Sequence, residues 1–433
     1  MQLTIEKLIY GGDGLARLPA DEHGPGKAVF VPFVLEGERI EASLLDQKRS
    51  FARGRADAIL QASPRRVEPL CPYFLRCGGC RYQHASYEHQ LEIKAAVLKE
   101  NLRRTAKLEL RTRMTIHPSP PWKYRNRTRL KVRTAPEFAL GYYKLGSHEL
   151  LAVEECPVSA PLINRAIAAF WKMGRERTVP DGIHEVEFFV DAEDTQLLVE
   201  VSCEPGTPST PIREWAGAVQ SALPEIAGVV VFKTRSSGMT APVEPKPVAG
   251  SGATEITYRT NDASHRVSAG AFFQVNRHLI NDLVKIVVRE YSGDRALDLY
   301  AGVGLFSTIL SRRFAQVIAV EASQTSHADL LYNSPNNVKA VRATTVDFLR
   351  RAASKRRPDL VVVDPPRSGL GKSVVQSLVG LGAHRITYIS CDPATASRDL
   401  AGLLSAGYRI EQVHLIDLFP QTYHLESVFH LAR

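Results

Sequence analysis

Three kinds of hydrophobic pattern follow one another along the chain. Over the first sixty or so residues, short apolar runs (Leu3-Thr4-Ile5, Ala28 to Val34 and Arg39 to Leu45) are separated by the turn formers Gly11-Gly12-Asp13-Gly14 and Asp21-Glu22-His23-Gly24-Pro25-Gly26. Such spacing predicts a small β-barrel. The middle of the chain has mixed patterning: a strand-like run from Leu197 to Cys203, and Pro- and Ser-rich loops at Cys203 to Pro211 and Pro242 to Gly252. From about Ile256 strands and helices alternate, which predicts a doubly wound parallel sheet. The chain thus divides into a barrel at 1–62, a central α+β domain at 63–255 and an α/β, Rossmann-like domain at 256–433, in keeping with the size at which single cores stop growing.

In the last domain the strand ends carry the chemistry. Arg385 to Ser390 is an apolar, β-branched run that ends at Cys391, and Pro393 then blocks the ladder before a helix-forming stretch. The cysteine therefore stands at the carboxyl edge of the sheet, where open α/β sheets bind ligands; by itself a cysteine is as readily a small buried hydrophobe. Asp298 to Ser307 reads as a strand, a glycine turn (Gly302, Gly304) and a helix start, and Ala315 to Glu321 as a second strand ending in an acid. Ser307 departs from the dinucleotide fingerprint, which wants Gly or Ala there. Glu321 is placed for ribose hydroxyls and Asp347 for an adenine amino group, a combination that suggests S-adenosylmethionine. Asp359 to Asp364 delivers Asp364, stiffened by Pro365-Pro366, to the same edge, and Glu426 opens the last strand.

These groups explain one another if the substrate is a pyrimidine. A thiolate at Cys391 adding to carbon 6 makes carbon 5 nucleophilic, a methyl group is transferred, and a base such as Glu426 removes the carbon-5 proton while Asp364 orients the ring.

Composition extends this picture. The formal charge of +9 favours a polyanionic partner. Residues 101–134 hold eleven Lys and Arg against Glu109 alone, and Arg125, Arg127, Arg129, Lys131 and Arg133 recur at period two, which puts them on one face of a strand. That face is expected to bind nucleic-acid phosphates, with Trp122, Tyr124, Tyr142 and Tyr143 available to stack on unpaired bases. Cys71, Cys77 and Cys80, with Cys156 as a fourth thiolate, suit a structural zinc or an iron-sulfur cluster, and spacing does not choose between them. Cys203 reads as core. No apolar run reaches the length of a membrane span and no apolar secretion core opens the chain, so a cytoplasmic location is expected; a monomer is a separate expectation.

Taken together, the motifs resemble the bacterial RNA 5-methyluridine methyltransferases (the RumA and TrmA family), in particular the cluster-bearing 23S rRNA (uracil-5-)-methyltransferases. The resemblance implies a TRAM/OB-like RNA-binding barrel and a class I methyltransferase domain. It also implies a 4Fe-4S cluster on Cys71, Cys77, Cys80 and Cys156, in preference to zinc. The segments Tyr124-Arg125-Asn126 and Phe272 to Asn276 match the family, and the implied donor site is Gln274, Tyr300, Leu305, Glu321, Asp347 and Asp364, with Cys391 as nucleophile and Glu426 as base. The implied function is methylation of carbon 5 of a uridine, in 23S rRNA first and tRNA second. Other readings are a cytosine carbon-5 or base-nitrogen methyltransferase and a non-catalytic iron-sulfur RNA-binding protein. Two departures carry expectations. Asp392 stands where the family commonly has Asn, which predicts a carboxylate opposing ionisation of the neighbouring thiol. The segment after Glu321, through Asn337, is short for a crossover helix and predicts an altered adenosine pocket.

Overall fold

The computed structural model describes residues 1–19, 26–110, 112–234, 246–352 and 357–433. Most of the turn expected at Asp21 to Gly26, Arg111 and the loop residues up to Pro245 lie outside them. In the amino-terminal region alternate residues point inward along Asp13–Arg17, Ala28–Pro32 and Arg39–Gln47, as the period of a strand requires. Six strands in the order Gln2–Thr4, Arg39–Gln47, Phe51–Gln61, Ala28–Pro32, Asp13–Arg17 and Lys7–Leu8 share one core of Leu3, Ile5, Ala16, Val29, Val31, Ile40 and Ala52.

The central sheet has seven strands, in the order Leu150–Ala152, Ala139–Tyr143, Arg127–Arg133, Ile183–Val190, Leu197–Cys203, Ile226–Lys233 and Pro247–Gly252. Helices Pro161–Arg175 and Ser209–Ala222 cover its apolar face, where Cys203 is buried. The two stretches read as loops contribute more than loops: Pro247–Gly252 pairs antiparallel with Ile226–Lys233, and helix Ser209–Ala222 starts within the first of them. Turn-forming composition hid both, because packing on the sheet outweighs weak local propensity.

The third sheet carries the strand ends of interest. Its order is Val338–Arg342, Phe314–Glu321, Gly293–Leu299, Leu360–Val363, Arg385–Ser390, Glu426–Ala432, Arg409–Ile416 and Met114–His117. The first five are mutually parallel, Glu426–Ala432 is antiparallel to both neighbours, and Met114–His117 closes the edge in parallel with Arg409–Ile416. That edge strand and helix Tyr87–Thr105 come from the stretch assigned above to the central domain, but both pack here. Ile93, Val97, Leu98 and Leu102 of the helix share a core with Val361, Leu400 and Phe429, each buried side chain contributing about 1.5–3 kcal/mol. Nothing local said which sheet they would cover. The segment after Glu321 forms a ten-residue helix, Gln324–Asn333, started by the Ser323 side chain accepting from the Ser326 N–H. The crossover expected to be too short is therefore complete.

Candidate active site

Cys391, Asp364, Glu426, Gln274, Tyr300, Gly302 and Glu321 line one cleft of about 1090 Å³ between the central and third sheets. Sheet register explains the meeting. Ser390 and Ser427 are the last antiparallel pair of their two strands, so one further step sets Cys391 opposite Glu426. Asp364 leaves the adjacent parallel strand just past the Val363–Tyr388 pair, and Gln274 Nε2 donates to its Oδ2 at 3.3 Å.

The cleft is an electrostatically costly place. Burial pushes the Cys391 thiol up to about 12, with Glu426 and then Asp364 adding to the rise and the Arg367 guanidinium opposing it. Burial also raises both carboxyls above the usual range; Asp298 adds to the rise at Asp364, and Asp364 to that at Glu426. Asp298, fully buried beneath the glycine turn, accepts from Ser307 and is itself pushed up to about 7. Glu426 Oε1 has no hydrogen-bond partner among the described residues. A buried acid oxygen held without a partner is costly unless a ligand meets it, so this one is set to receive a proton or a substrate group.

The expected effect of Asp392 is corrected by its geometry. Its Oδ1 accepts from the Ala394 N–H at 3.0 Å and the Thr395 N–H at 2.8 Å, capping helix Pro393–Ser405. Its charge therefore meets the positive helix end, and the groups that raise the thiol are Glu426 and Asp364.

At the donor end, Gly302 (φ 55°) and Gly304 (φ 94°) take left-handed conformations, and a Cβ at Gly304 would come within 2.9 Å of Leu330. Glu321 is fixed from both sides, Oε2 accepting from the Gly302 N–H at 2.9 Å and Oε1 from the Ser323 N–H at 2.7 Å. Leu305 is buried and Asp347 is engaged by Thr344 and Arg350; neither is among the residues lining the cleft.

The basic strand forms one wall. Arg129 and Lys131 reach the cleft, but Arg127 and Arg129 pair with Glu187, and Lys131 with Glu185, on the neighbouring strand. Arg125 lies before the strand and lines the cysteine cavity instead. Tyr124 is fully buried, its hydroxyl donating to the Pro420 carbonyl, which takes it out of reach of a stacking base. Cys71, Cys77, Cys80 and Cys156 come together around a separate cavity of about 280 Å³ with Tyr142 and Gln83. Among the described residues, no three His, Cys, Asp or Glu side chains are grouped to hold a metal ion.

The sequence reading missed Arg367 and His424 as site residues. Both line the cleft, and Arg367 Nη2 lies 3.1 Å from the His424 ring nitrogens. Their positions, three residues after Asp364 and two before Glu426, were the available signal.

A family model described as tRNA (uracil-5-)-methyltransferase matches residues 86–433. The chain belongs to this family of RNA uracil-5 methyltransferases. Relatives of this methyltransferase include a 23S rRNA (uracil(1939)-C(5))-methyltransferase RlmD of Pseudomonas fluorescens, 30% identical over 99% of this chain and 93% of its own. An uncharacterized RNA methyltransferase of Caldanaerobacter subterraneus is 31% identical over 99% of this chain and 96% of its own. The fold matches a Pyrococcus abyssi tRNA (uracil-54, C5)-methyltransferase, crystallised with S-adenosyl-L-homocysteine, at a TM-score of 0.76 and 23% identity over the full length of both chains. Among the described residues, no helix is long and apolar enough to cross a membrane.

Proposed function

We propose that this methyltransferase modifies carbon 5 of a uridine in 23S rRNA through a covalent bond between Cys391 and carbon 6 of the base. The observation that carries the reading is that Cys391 lies opposite Glu426, whose Oε1 has no partner among the described residues, in one cleft with Asp364. S-adenosylmethionine supplies an electrophilic methyl group on its sulfonium. Glu321 would hold its ribose and the turn at Gly302 would let backbone approach it closely, while Gln274 and Asp364, bonded to each other, would serve the donor and the base. The Cys391 thiol gives its proton to solvent as its sulfur adds to carbon 6 and leaves carbon 5 nucleophilic; after methylation Glu426, in its ionised form, takes the carbon-5 proton and the thiolate departs. Asp364, its carboxyl raised to about 7 by burial, is available in its protonated form to donate to a ring oxygen and steady the charge that develops there. The amino-terminal barrel and the exposed end of the basic strand at Arg133 hold the RNA.

The 23S target is supported by the Pseudomonas relatives and by the four cysteines around one cavity. Burial drives the Cys77 thiol up to about 11 and Cys80 up to about 12, and a positive centre held among them would favour their thiolate forms. Cys71, Cys77, Cys80 and Cys156, sharing one cavity, would supply the four thiolates that a 4Fe-4S cluster takes. Cys71, Cys77 and Cys80, in holding it together with Cys156, would tie their loop to the segment before helix Pro161–Arg175.

Incubation with methyl-labelled donor and unmodified ribosomal RNA yields 5-methyluridine, and Cys391→Ala yields none. Normal product from Cys391→Ala, or methyl label on another base, rejects the reading. Mapping 5-methyluridine in 23S rRNA and tRNA, with and without the protein, decides the target. Anaerobically purified protein containing zinc and no iron rejects the cluster.

A further inference from the structure

The amino-terminal barrel reaches the nucleophile. Tyr10, in the turn before Gly11, donates its hydroxyl to the Cys391 backbone carbonyl at 3.3 Å, across 381 positions of sequence. That carbonyl lies past the last ladder pair, Ser390–Ser427, and just before the helix capped by Asp392. Regular structure thus leaves it to find a partner elsewhere, and the barrel supplies one.

The contact is braced on both sides. The Tyr10 ring meets Tyr423 edge-on at a centroid separation of 5.5 Å, and Tyr423 lies 4.1 Å from the His424 ring, which lines the cleft. Gly12 (φ 92°) sits where a Cβ would come within 3.1 Å of Arg81 Cβ and 3.5 Å of Tyr423 Cβ. Arg81 pairs with Asp13 at 3.8 Å, and the Arg81 and Tyr82 N–H groups both donate to the Gln421 carbonyl at 2.9 Å. The barrel turn, the Arg81 segment and the loop leading to Glu426 are therefore packed into one piece around the cysteine. The family model that matches this chain begins at residue 86, so the Tyr10 contact comes from outside the part shared with that model.

We propose that Tyr10 is a positioning residue for Cys391: its hydroxyl fixes the peptide that carries the sulfur, making the barrel a structural part of the methyl-transfer site. The proposal rests on the reading of Cys391 as the nucleophile. A hydrogen bond of this kind is worth a two- to tenfold effect, and it acts on the placement of the sulfur without touching RNA.

The test compares full-length wild type with Tyr10→Phe, which keeps the ring against Tyr423 and removes only the hydroxyl, and with Tyr10→Ala. Two quantities are measured: kcat and KM for RNA methylation, and the rate at which iodoacetamide alkylates Cys391 without RNA, followed on the Cys391 peptide by mass spectrometry. Tyr10→Phe is expected to melt within about 2 °C of wild type. It lowers kcat two- to tenfold with KM unchanged, and it speeds alkylation by a similar factor because the freed loop exposes the sulfur more often. Tyr10→Ala shows at least the same effects. A Tyr10→Phe enzyme with wild-type kcat and alkylation rate overturns the proposal, as does a rise in KM alone, which would make the contact an RNA-binding one. If wild type makes no 5-methyluridine the functional reading fails, and the alkylation comparison still decides whether Tyr10 acts on Cys391.

Discussion

Replacing Asp392 separates its two conceivable roles, as a helix cap and as a charge beside the nucleophile. Its carboxylate accepts from two backbone N–H groups, at 3.0 and 2.8 Å, that have no partner inside the helix. Asp392→Ala removes a cap worth about 1 kcal/mol and a favourable charge at the helix end worth about 0.3–1 kcal/mol, so about 1.5 kcal/mol in all. Asp392→Asn keeps the acceptor oxygen and loses only the charge, about 0.5 kcal/mol. At about 2–4 °C per kcal/mol for a domain of this size, Asp392→Ala lowers the melting temperature by about 3–6 °C and Asp392→Asn by about 1–2 °C. Because the thiol is raised by burial, Glu426 and Asp364, Asp392→Asn leaves the pH dependence of Cys391 alkylation in place. Thermal melting and alkylation rates over a pH series give both quantities. A fall of one unit or more in the Cys391 midpoint, equivalent to about 1.4 kcal/mol, would show that the carboxylate acts on the sulfur and refute the capping account.

The thiol pushed up to about 12 is protonated at neutral pH, and its thiolate fraction rises as pH rises, so alkylation of the free enzyme climbs about tenfold per pH unit from pH 7 to 10; a plateau below pH 9 contradicts this. Glu426→Gln removes a charge that opposes ionisation and lowers that midpoint, yet it stalls turnover after methylation, so a denaturation-resistant RNA–protein adduct accumulates; an adduct-free variant with normal turnover excludes Glu426 as the base. Lys94, wholly buried and 2.6 Å from Asp417, ties helix Tyr87–Thr105 to the loop before Glu426. Lys94→Met strands a buried carboxylate and costs about 3–5 kcal/mol by urea unfolding, of which a second change, Asp417→Asn, recovers at least half; equal losses in the single and double variants would show that the ion pair is not the cause.

The reaction centre was legible because its parts are local. A strand that ends in cysteine, one that ends in Asp-Pro-Pro and one that begins with Glu each declare their own edge, and parallel topology brings such edges together. The antiparallel register that sets Cys391 opposite Glu426 followed from no local signal, since it depends on how the strand Glu426–Ala432 inserts between Arg385–Ser390 and Arg409–Ile416. The same holds for helix Tyr87–Thr105 and strand Met114–His117, whose partners lie about 300 residues away. Tyr10 could not be read as part of the site, because a single tyrosine beside a glycine turn has no pattern to set it apart. Arg367 and His424 were within reach, but each sits in a segment that reads as a connection.

The basic strand shows where charge counted along a sequence misleads. The run has one sign because compensating acids are excluded from it by chain position, yet the next strands place Glu185 and Glu187 against Lys131, Arg129 and Arg127, with Glu200 3.9 Å from Arg127. A cation already held by a carboxylate gains little from a phosphate, because it gives up one partner to take the other. Five free cations on single-stranded RNA would steepen the dependence of log affinity on log salt by about 3.5, at about 0.7 per phosphate neutralised. Arg133 is exposed, its Nε donating to the Glu137 carbonyl, with no carboxylate partner among the described residues. Arg133→Ala therefore lowers the slope by about 0.7 and Lys131→Ala by distinctly less, as read from RNA binding between 50 and 300 mM salt. Equal decrements from the two would mean that RNA displaces Glu185 from Lys131, and the strand would then be the continuous phosphate-binding face that its spacing suggested.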